Sequence, residues 1–471
     1  MKTLSLFLIL LSLLFCLEPN SKKDTNLIKI SYSTDPSSID PIETTDLVSE
    51  KLVKLLHSSL FEMDEKGKIT GKLVTTYNWN SQTRTLNLNL ISGLNAEEVK
   101  TSLLRLLQTK GPRKEAYKDL QILESNSKSK ISIRISNELS YNKLLILLSL
   151  PASFISSDTG PYLLKSWKRG NKLSLEFNPR YKKLFPKIEY KNYLPERLDI
   201  LIIPQSTSGI FLFTKGQLHS LKLSDFLLNH PVAKQNKILS KKGRSVQYVA
   251  INNSKPCFDR NFREAMNLAI PREKIISYIL DNQAELTFAS IPISKFDDEF
   301  IKQNKMKFLP RTDLKLAKEK LTQSKCFPEI LKQELDFRMR ADDENQSKGK
   351  AVLESLRSLG LNIKLNSMEK SSLYKENGLG LGDFTFLTWY ADYDSVNAFL
   401  YPLFDSDRMG NAGNRAFYKN DKLDESIQNE NILKSIEILV KEKPWIYLWS
   451  IQENYLLAPS ILRYRGIAEY L

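Results

Sequence analysis

The sequence is poor in the residues that build metal centres and catalytic sites. Among 471 residues it has three cysteines and three histidines, His57, His219 and His230. Scattered thiols and imidazoles make a poor set of metal ligands, so each histidine is interpreted as structural or solvent-facing. The Gly-x-Ser-x-Gly, His-Glu-x-x-His and phosphate-loop motifs are also missing. These features argue against an enzyme and predict a protein with neither metal nor cofactor.

Long apolar segments and internal repeats are missing too. After residue 16 the longest apolar run, residues 144–150, is far shorter than the ~20 residues that span a bilayer, and it is interpreted as a buried strand or helix. No repeat with a period of 20–50 residues is visible, which argues against a solenoid or propeller. Hydrophobic residues make up 41% and charged residues 26% of the chain, as in soluble globular proteins. The length allows two or three packed units, because single cores stop growing near ~250–300 residues.

The N-terminus has the pattern of an export signal. Lys2 is followed by an apolar run at residues 4–15 and then by Cys16. This arrangement predicts a signal peptide at residues 1–16. The cysteine resembles that of a lipobox, so we expect lipidation of Cys16 and a polar tether at residues 17–26. Ordinary cleavage that releases a free exported protein is the alternative.

The other two cysteines are Cys257 and Cys326. An exported protein meets oxidising conditions in which a disulfide can form. Two cysteines alone do not establish a bridge, so both the bonded and the free state remain open at this point.

The net charge of +15 is concentrated in one stretch. Residues 101–200 hold 19 basic and 9 acidic residues, which accounts for +10 of the total. The lysines are dispersed, and no arginine-rich run or nucleic-acid-binding motif accompanies them. We interpret the stretch as a solvated face rather than a nucleic-acid site. On a lipid-tethered protein this face can also rest on an anionic membrane.

The hydrophobic periodicity predicts mixed helices and strands. Alternating apolar residues predict strands at 27–33, 86–90, 131–135, 172–177, 198–203, 246–252, 361–365, 384–389 and 446–451. Helical spacing predicts helices at 47–60, 96–107, 262–269, 272–280, 314–321, 348–359 and 432–441. Strands and helices alternate in the later half, which predicts α/β lobes with long-range connections.

Five segments in register carry a family resemblance: residues 35–41 (DPSSIDP), 159–181 (TGPYLLKSWKRG followed by LEFNPRY), 248–275 (with Asn252, Lys255, Pro256, Arg263, Ala265 and Arg272), 356–365, and 389–404 (WYADYDSVNAFLYPLF). Together they span nearly the whole mature chain. They resemble the extracellular solute-binding proteins of the oligopeptide-, dipeptide- and nickel-binding class, known as family 5. Pro271 and Ser395 depart from the family's usual Asp and Pro.

The resemblance implies an α/β, two-lobed fold of the periplasmic-binding-protein type (class II) with an extra small subdomain. A ligand cleft would lie between lobes joined by a hinge. Lobe I would comprise residues 27–60, 159–247 and 442–471. The subdomain, inserted in lobe I, would comprise residues 61–158, and lobe II residues 248–441.

The resemblance also implies where a ligand binds. In peptide-binding members the aspartate that matches Asp392 meets the ligand's α-ammonium. A carboxylate in a closed cleft is favourable when it pairs with a cation. The alternative is that Asp392 caps a turn or pairs with Arg408 or Arg415. Trp389 and Tyr390 would face opposite sides of an extended strand, so that one walls a side-chain pocket while the other enters the core.

Three further residues complete the predicted site. Trp449 lies in the last predicted strand, and Thr34 and Asp35 lie where the first strand ends. By resemblance the chain is a monomeric substrate-binding component of an ABC importer, with a peptide-like ligand, permease partners and a lipid anchor. Two alternatives are a surface lipoprotein that acts in adhesion or sensing, and a family member that binds a metal chelate or an oligosaccharide.

Overall fold

The computed structural model describes residues 26–44, 46–63, 68–111, 114–123, 127–137, 139–190, 192–224, 227–391, 395–410 and 413–471. The predicted signal peptide with Cys16, nearly all of the predicted tether, and Asp392 lie outside these described residues.

The strands, in chain order, are β1 (Leu27–Tyr32), β2 (Phe61–Met63), β3 (Ile69–Gly71), β4 (Val74–Asn80), β5 (Thr85–Leu90), β6 (Leu120–Leu123), β7 (Lys130–Ile135), β8 (Tyr162–Lys168), β9 (Lys172–Phe177), β10 (Arg197–Ile202), β11 (Ser220–Leu223), β12 (Lys237–Lys241), β13 (Ser245–Ile251), β14 (Ala284–Phe288), β15 (Ile291–Pro292), β16 (Leu335–Arg340), β17 (Ile363–Met368), β18 (Phe384–Tyr390), β19 (Trp445–Ile451) and β20 (Glu453–Leu457).

The α-helices, in chain order, are α1 (Leu47–Leu56), α2 (Ala96–Gln108), α3 (Tyr141–Leu147), α4 (Pro179–Leu184), α5 (Ser206–Thr214), α6 (Pro231–Lys234), α7 (Arg260–Ala269), α8 (Arg272–Tyr278), α9 (Asp298–Phe308), α10 (Leu314–Thr322), α11 (Asp343–Arg357), α12 (Lys370–Gly378), α13 (Tyr401–Phe404), α14 (Asp421–Gln428) and α15 (Ile432–Glu442). Thus the apolar run at residues 144–150 contributes to a helix, and not to a strand.

The first large sheet has seven strands in the order β12-β20-β11-β1-β10-β9-β8. Its central strand, β1, runs parallel to both neighbours, β10 and β11. Burial along β1 alternates, with Ile28, Ile30 and Tyr32 in the core. The predicted period of two therefore describes this strand correctly, since successive side chains point to opposite faces.

The second large sheet also has seven strands, in the order β15-β14-β19-β13-β18-β16-β17. Every residue of its inner strand β13 is buried. Val249 and Ile251 face one apolar core, whereas Val246 and Tyr248 face another on the opposite side of the sheet. Such a strand is apolar throughout because both faces of the sheet are covered.

A smaller four-stranded sheet, β4-β5-β7-β6, lies beside the two-stranded ribbon β2-β3. Leu86, Val99 and Ile133 belong to its core, which includes helix α2. Asn95 begins this helix, and its side chain accepts a hydrogen bond from the Glu97 N–H at 3.0 Å. This cap satisfies a backbone donor that has no partner within the helix.

The chain passes between the two large sheets at two short crossing segments. Residues 242–244 connect β12 to β13, and Gln452 alone separates β19 from β20. Two expectations are therefore corrected. The strand Trp445–Ile451 belongs to the second sheet, although residues 442–471 were assigned as a whole to lobe I, and it is followed by a further strand. Both strands are buried throughout, so local periodicity does not indicate where the chain changes sheets.

Several residues of the family-like motif at 248–275 hold the backbone together. The Asn252 amide donates to the carbonyl oxygens of Gly380 and Gly382 at 2.8 and 3.0 Å. The buried Arg272 guanidinium donates to the carbonyl oxygens of Tyr447 at 2.5 Å and Asn267 at 2.9 Å. These contacts hold backbone segments of the second sheet and its loops in place. Because the motif residues bind the backbone, the motif indicates the fold more directly than it indicates the ligand.

Cys257 and Cys326 form a disulfide, with their Cα atoms 5.2 Å apart. The bond connects the loop after β13 to the segment after α10, and both cysteines pack against the apolar core on one side of the second sheet. The structure thus settles the question that two cysteines alone left open.

His219 and His230 each accept a hydrogen bond from a backbone N–H group. The His219 Nδ1 accepts a hydrogen bond from the Lys29 N–H at 2.8 Å. The His230 Nδ1 accepts one from the Val232 N–H at 3.2 Å, at the start of α6. Burial lowers the pKa of His57 to about 4. His57 is therefore neutral at physiological pH.

Candidate functional site

Thr34 and Asp35 follow β1, as expected from the sequence. The Asp35 carboxylate accepts hydrogen bonds from the Trp167 indole N–H at 3.0 Å and from the Gly170 N–H. Both donors belong to the β8–β9 hairpin, where Gly170 has a φ of +69°. Asp35 therefore anchors a turn within the first sheet, while Thr34 is exposed beside it. A ligand contact by either residue stays a prediction.

Trp389 and Tyr390 end strand β18 and have different surroundings. The Trp389 indole N–H donates to the Ala398 carbonyl oxygen at 2.9 Å, and the ring packs against the core of the second sheet. The Tyr390 ring lies 5.8 Å from the Nζ of Lys222, a residue of β11 in the first sheet. Tyr390 thus lies where the two large sheets approach each other. Its ligand role, like that of Trp389, stays a prediction.

Trp449 is a core residue and does not border a cleft in this structure. Its side chain has no exposed surface, because β19 lies between β13 and β14 and is covered by helices. The indole N–H donates to the Gln247 Oε1 at 2.8 Å. The Gln247 amide in turn donates to the Thr388 hydroxyl at 3.0 Å. The expectation of a direct ligand contact is therefore replaced by a structural role.

A group of charged and aromatic residues lies at the boundary between the sheets, and sequence analysis did not identify it. We call Lys51, Lys222, Arg244, Glu453 and Tyr455 the boundary cluster. Lys222 forms an ion pair with the buried Glu453 at 2.8 Å. The Lys51 Nζ donates to the Tyr455 hydroxyl at 2.6 Å.

Local structure explains how these residues meet. Asp46 begins α1 by accepting hydrogen bonds from the Val48 and Ser49 N–H groups, which places Lys51 in the second turn. Lys222 and Tyr455 occupy β11 and β20 and are direct antiparallel partners. Arg244 completes the first crossing segment, and its carbonyl oxygen accepts a hydrogen bond from the Ala391 N–H at 2.9 Å.

Burial and charge set the protonation states of the boundary cluster. Burial lowers the pKa of Lys51 to about 7, although Glu453 acts in the opposite direction. Burial alone would raise the pKa of Glu453, but Lys222 and Lys51 together lower it to about 2. The Glu453 carboxylate is therefore ionised at any physiological pH, whereas Lys51 can exist in both states near neutrality.

The described residues contain no group of three or more histidine, cysteine or acidic side chains placed to hold a metal ion. Among the same residues, no helix is both long enough and apolar enough to cross a membrane. The boundary cluster places charged and hydrogen-bonding groups where the two large sheets approach each other.

The comparisons with known proteins agree with this geometry. The family model for bacterial extracellular solute-binding proteins, family 5 Middle, matches residues 51–411. This chain belongs to that family. It is 23% identical to the probable D,D-dipeptide-binding periplasmic protein DdpA of Escherichia coli, over 92% of this chain and 90% of that protein. It is 21% identical to the oligopeptide-binding protein AppA of Bacillus subtilis, over 88% and 82% of the two chains.

Solved structures of family 5 proteins share the fold. DppA from Helicobacter pylori, in complex with the peptide STSA, superposes with a TM-score of 0.77 at 20% identity, over 92% of this chain and 94% of that one. NikZ from Campylobacter jejuni, in complex with Ni(L-His), gives 0.75 at 17% identity over 92% and 94%. The chain therefore has the two-lobed α/β fold of family 5 binding proteins, in which the two large sheets form the two lobes.

Proposed function

We propose that this protein is the substrate-binding component of an ABC-type importer. In this proposal it captures a peptide-like solute between its lobes by hinge closure and delivers the solute to a membrane permease. One observation carries the proposal: two short crossing segments, residues 242–244 and Gln452, connect the two large sheets. Short paired connections allow the two lobes to rotate about a hinge around a ligand.

The relatives support a peptide-like ligand. Two of them are described as dipeptide- and oligopeptide-binding proteins, and one solved structure of the same fold holds the peptide STSA. A peptide carries an ammonium group at one end, and we propose that Asp392 binds this group. Tyr390, which lies at the lobe boundary, and Trp389 and Thr34 are proposed as neighbouring contacts.

Export and membrane attachment are part of the same proposal. A signal peptide at residues 1–16 and a lipid on Cys16 would keep the protein near its permease. A binding protein of this kind works outside the cytoplasmic membrane, where the Cys257–Cys326 disulfide is chemically stable. Mass spectrometry of the N-terminal fragment from the native host would detect a lipidated Cys16, and an unmodified terminus would contradict this part.

The central test uses a defined probe. The purified protein is incubated with a random library of tri- to pentapeptides, and retained peptides are identified by mass spectrometry. Calorimetry then compares the most enriched peptide with its N-acetylated form. We expect Asp392→Asn, and acetylation of the peptide, each to weaken binding by ~2–5 kcal/mol, since a charge in a closed site loses its partner.

Asp407→Asn is the matched control, because Asp407 is an exposed carboxylate of the same lobe. It should bind the peptide as the wild type does. If Asp392→Asn also retains full affinity, the assignment of Asp392 is wrong. If no peptide is retained while a nickel chelate or a macromolecule binds, the peptide-import proposal is wrong.

A further inference from the structure

The electrostatic environment at the lobe boundary is strongly one-sided. The largest electrostatic influences on Lys51 come from Glu453 and from three cations, Lys222, Lys241 and Arg244. Among the charged groups that act most strongly on Lys51, basic side chains thus outnumber the single carboxylate. A site with this excess of positive charge favours an additional anion.

The cations of this region differ in their hydrogen-bonding partners. Lys222 pairs with Glu453 at 2.8 Å, and Lys51 donates to Tyr455 at 2.6 Å. The Lys241 Nζ donates to the carbonyl oxygens of Ala468 and Leu471 at 2.9 and 2.7 Å. Each of these three groups therefore has at least one partner within the first lobe.

Arg244 is the exception. Its side chain is exposed, and its guanidinium makes no hydrogen bond or ion pair with any other residue in the described part of the chain. Its field nevertheless acts on both Lys51 and Glu453. A guanidinium presents a fixed fork of N–H donors that matches a carboxylate in a bidentate manner.

The position of Arg244 connects it to both lobes. It is the last residue of the first crossing segment, and the next residue, Ser245, pairs with Tyr390 at the end of β18. Its carbonyl oxygen accepts the Ala391 N–H at 2.9 Å. The side chain therefore starts where the second lobe meets the cationic edge of the first.

We propose that Arg244 binds an acidic group of the ligand, so that the preferred substrates are peptides with an accessible carboxylate. This inference rests on the proposed function, because it specifies the ligand class of the same cleft. The acidic group is either the C-terminal carboxylate of the peptide or an acidic side chain. Replacing that carboxylate by an amide removes a charge-assisted pair and should weaken binding about 10- to 100-fold.

The experiment compares matched peptides on matched variants. The most enriched library peptide is prepared with a free or amidated C-terminus, and with Glu or Gln at each side-chain position. Binding of every form is measured by calorimetry to the wild type, to Arg244→Gln and to Lys242→Gln. Lys242 is the control because it is exposed and equally charged but acts electrostatically on Glu285 instead.

We expect the wild type and Lys242→Gln to prefer the acid form about 10- to 100-fold, and Arg244→Gln to lose that preference. If Arg244→Gln no longer distinguishes the free from the amidated C-terminus, Arg244 binds the terminus. If it no longer distinguishes Glu from Gln at one position, Arg244 binds that side chain. A preference that survives in Arg244→Gln, or a wild type that binds acid and amide equally, overturns the inference and leaves the proposed function intact. A wild type that retains no peptide overturns both. Equal thermal unfolding of the three proteins excludes misfolding as the cause.

Discussion

Replacing Glu453 by glutamine isolates the electrostatic contribution of the boundary cluster to stability. Glu453 has 4% of its surface exposed and forms an ion pair with Lys222 at 2.8 Å. Glutamine keeps the shape of the side chain but removes its charge. Lys222 then remains at a partly buried site without its anion, which is the costly arrangement of a broken buried pair. Lys51, whose pKa is about 7, can instead lose its proton.

The pKa of Glu453 gives the magnitude. The protein lowers this pKa from 4.5 to about 2, because the neighbouring lysines outweigh the effect of burial. A shift of roughly 2.5 units at ~1.4 kcal/mol per unit gives a stabilisation of about 3 kcal/mol at neutral pH. This value agrees with the ~3–5 kcal/mol observed when one partner of a buried pair is removed.

The sign of the shift fixes the pH dependence. A carboxyl group with a lowered pKa in the folded state contributes stability that is fully present above the unfolded value of 4.5 and is lost as the pH falls through about 2. The difference between wild type and Glu453→Gln should therefore decrease from about 3 kcal/mol at pH 7 to roughly 1–2 kcal/mol at pH 3.

Urea unfolding at pH 7 and pH 3 measures the difference in unfolding free energy between the wild type and Glu453→Gln. Hydrogen exchange in β11 and β20 provides a local readout. Glu176→Gln is the control, because the Lys165–Glu176 pair of the same lobe is exposed, with side chains 49% and 51% accessible. Its cost should stay below ~0.5 kcal/mol. The ion pair does not stabilise the protein as described if both variants lose the same unfolding free energy. The same holds if Glu453→Gln loses equally much at pH 3 and pH 7.

Three further outcomes are expected. Replacing Cys257 and Cys326 by serine should cost about 4 kcal/mol of unfolding free energy, because the bond closes a loop with a sequence separation of 69; reductant should lower the wild type to the level of the variant. Arg272→Lys should cost ~3 kcal/mol or more in urea unfolding, since an ammonium cannot replace the buried guanidinium fork. Asp35→Asn should accelerate hydrogen exchange in the β8–β9 turn, because the carboxylate accepts the Trp167 and Gly170 N–H groups; unchanged exchange would contradict this anchoring role, and a loss of peptide affinity would confirm Asp35 as a ligand contact.

Local sequence signals predicted the elements whose causes are local. Strand β1 alternates, Asn95 begins α2, and Gly360 has a φ of +87° after α11, as a residue that ends a helix should. Strand β16 was missed although apolar and charged residues alternate along it, which is the pattern of a half-buried strand. The family resemblance supplied the two-lobed fold, which periodicity alone did not.

The boundary cluster was not predictable because its contacts are not local. Lys51 and Tyr455 are 404 positions apart in the sequence. A weak signal was present, since the polar residues Gln452, Glu453 and Asn454 separate two apolar runs and Lys51 lies among the leucines of α1. Neither signal indicates a partner, because a lysine on an apolar helix usually extends its charged end into water.

The crossing segments connect the electrostatics of the boundary cluster to hinge closure. Arg244 ends the first crossing segment and Glu453 follows the second, so both charges lie next to the hinge. Groups near a hinge change their separation little when the lobes close, but closure removes water and counter-ions around them. The attraction between Arg244 and an acidic ligand group should therefore be stronger in the closed state, which biases the protein toward closure.

The preference of the closed protein for an acidic ligand should depend only weakly on salt. At 1 M salt, counter-ions screen the interaction between exposed charges that are more than ~3 Å apart. They screen pairs enclosed by protein much less. The preference of the wild type for the acid over the amide peptide should thus persist between 0.05 and ~1 M salt, when calorimetry compares the two forms. A preference that disappears at high salt would mean that Arg244 attracts the ligand through open solvent, and closure would then gain nothing from the pair.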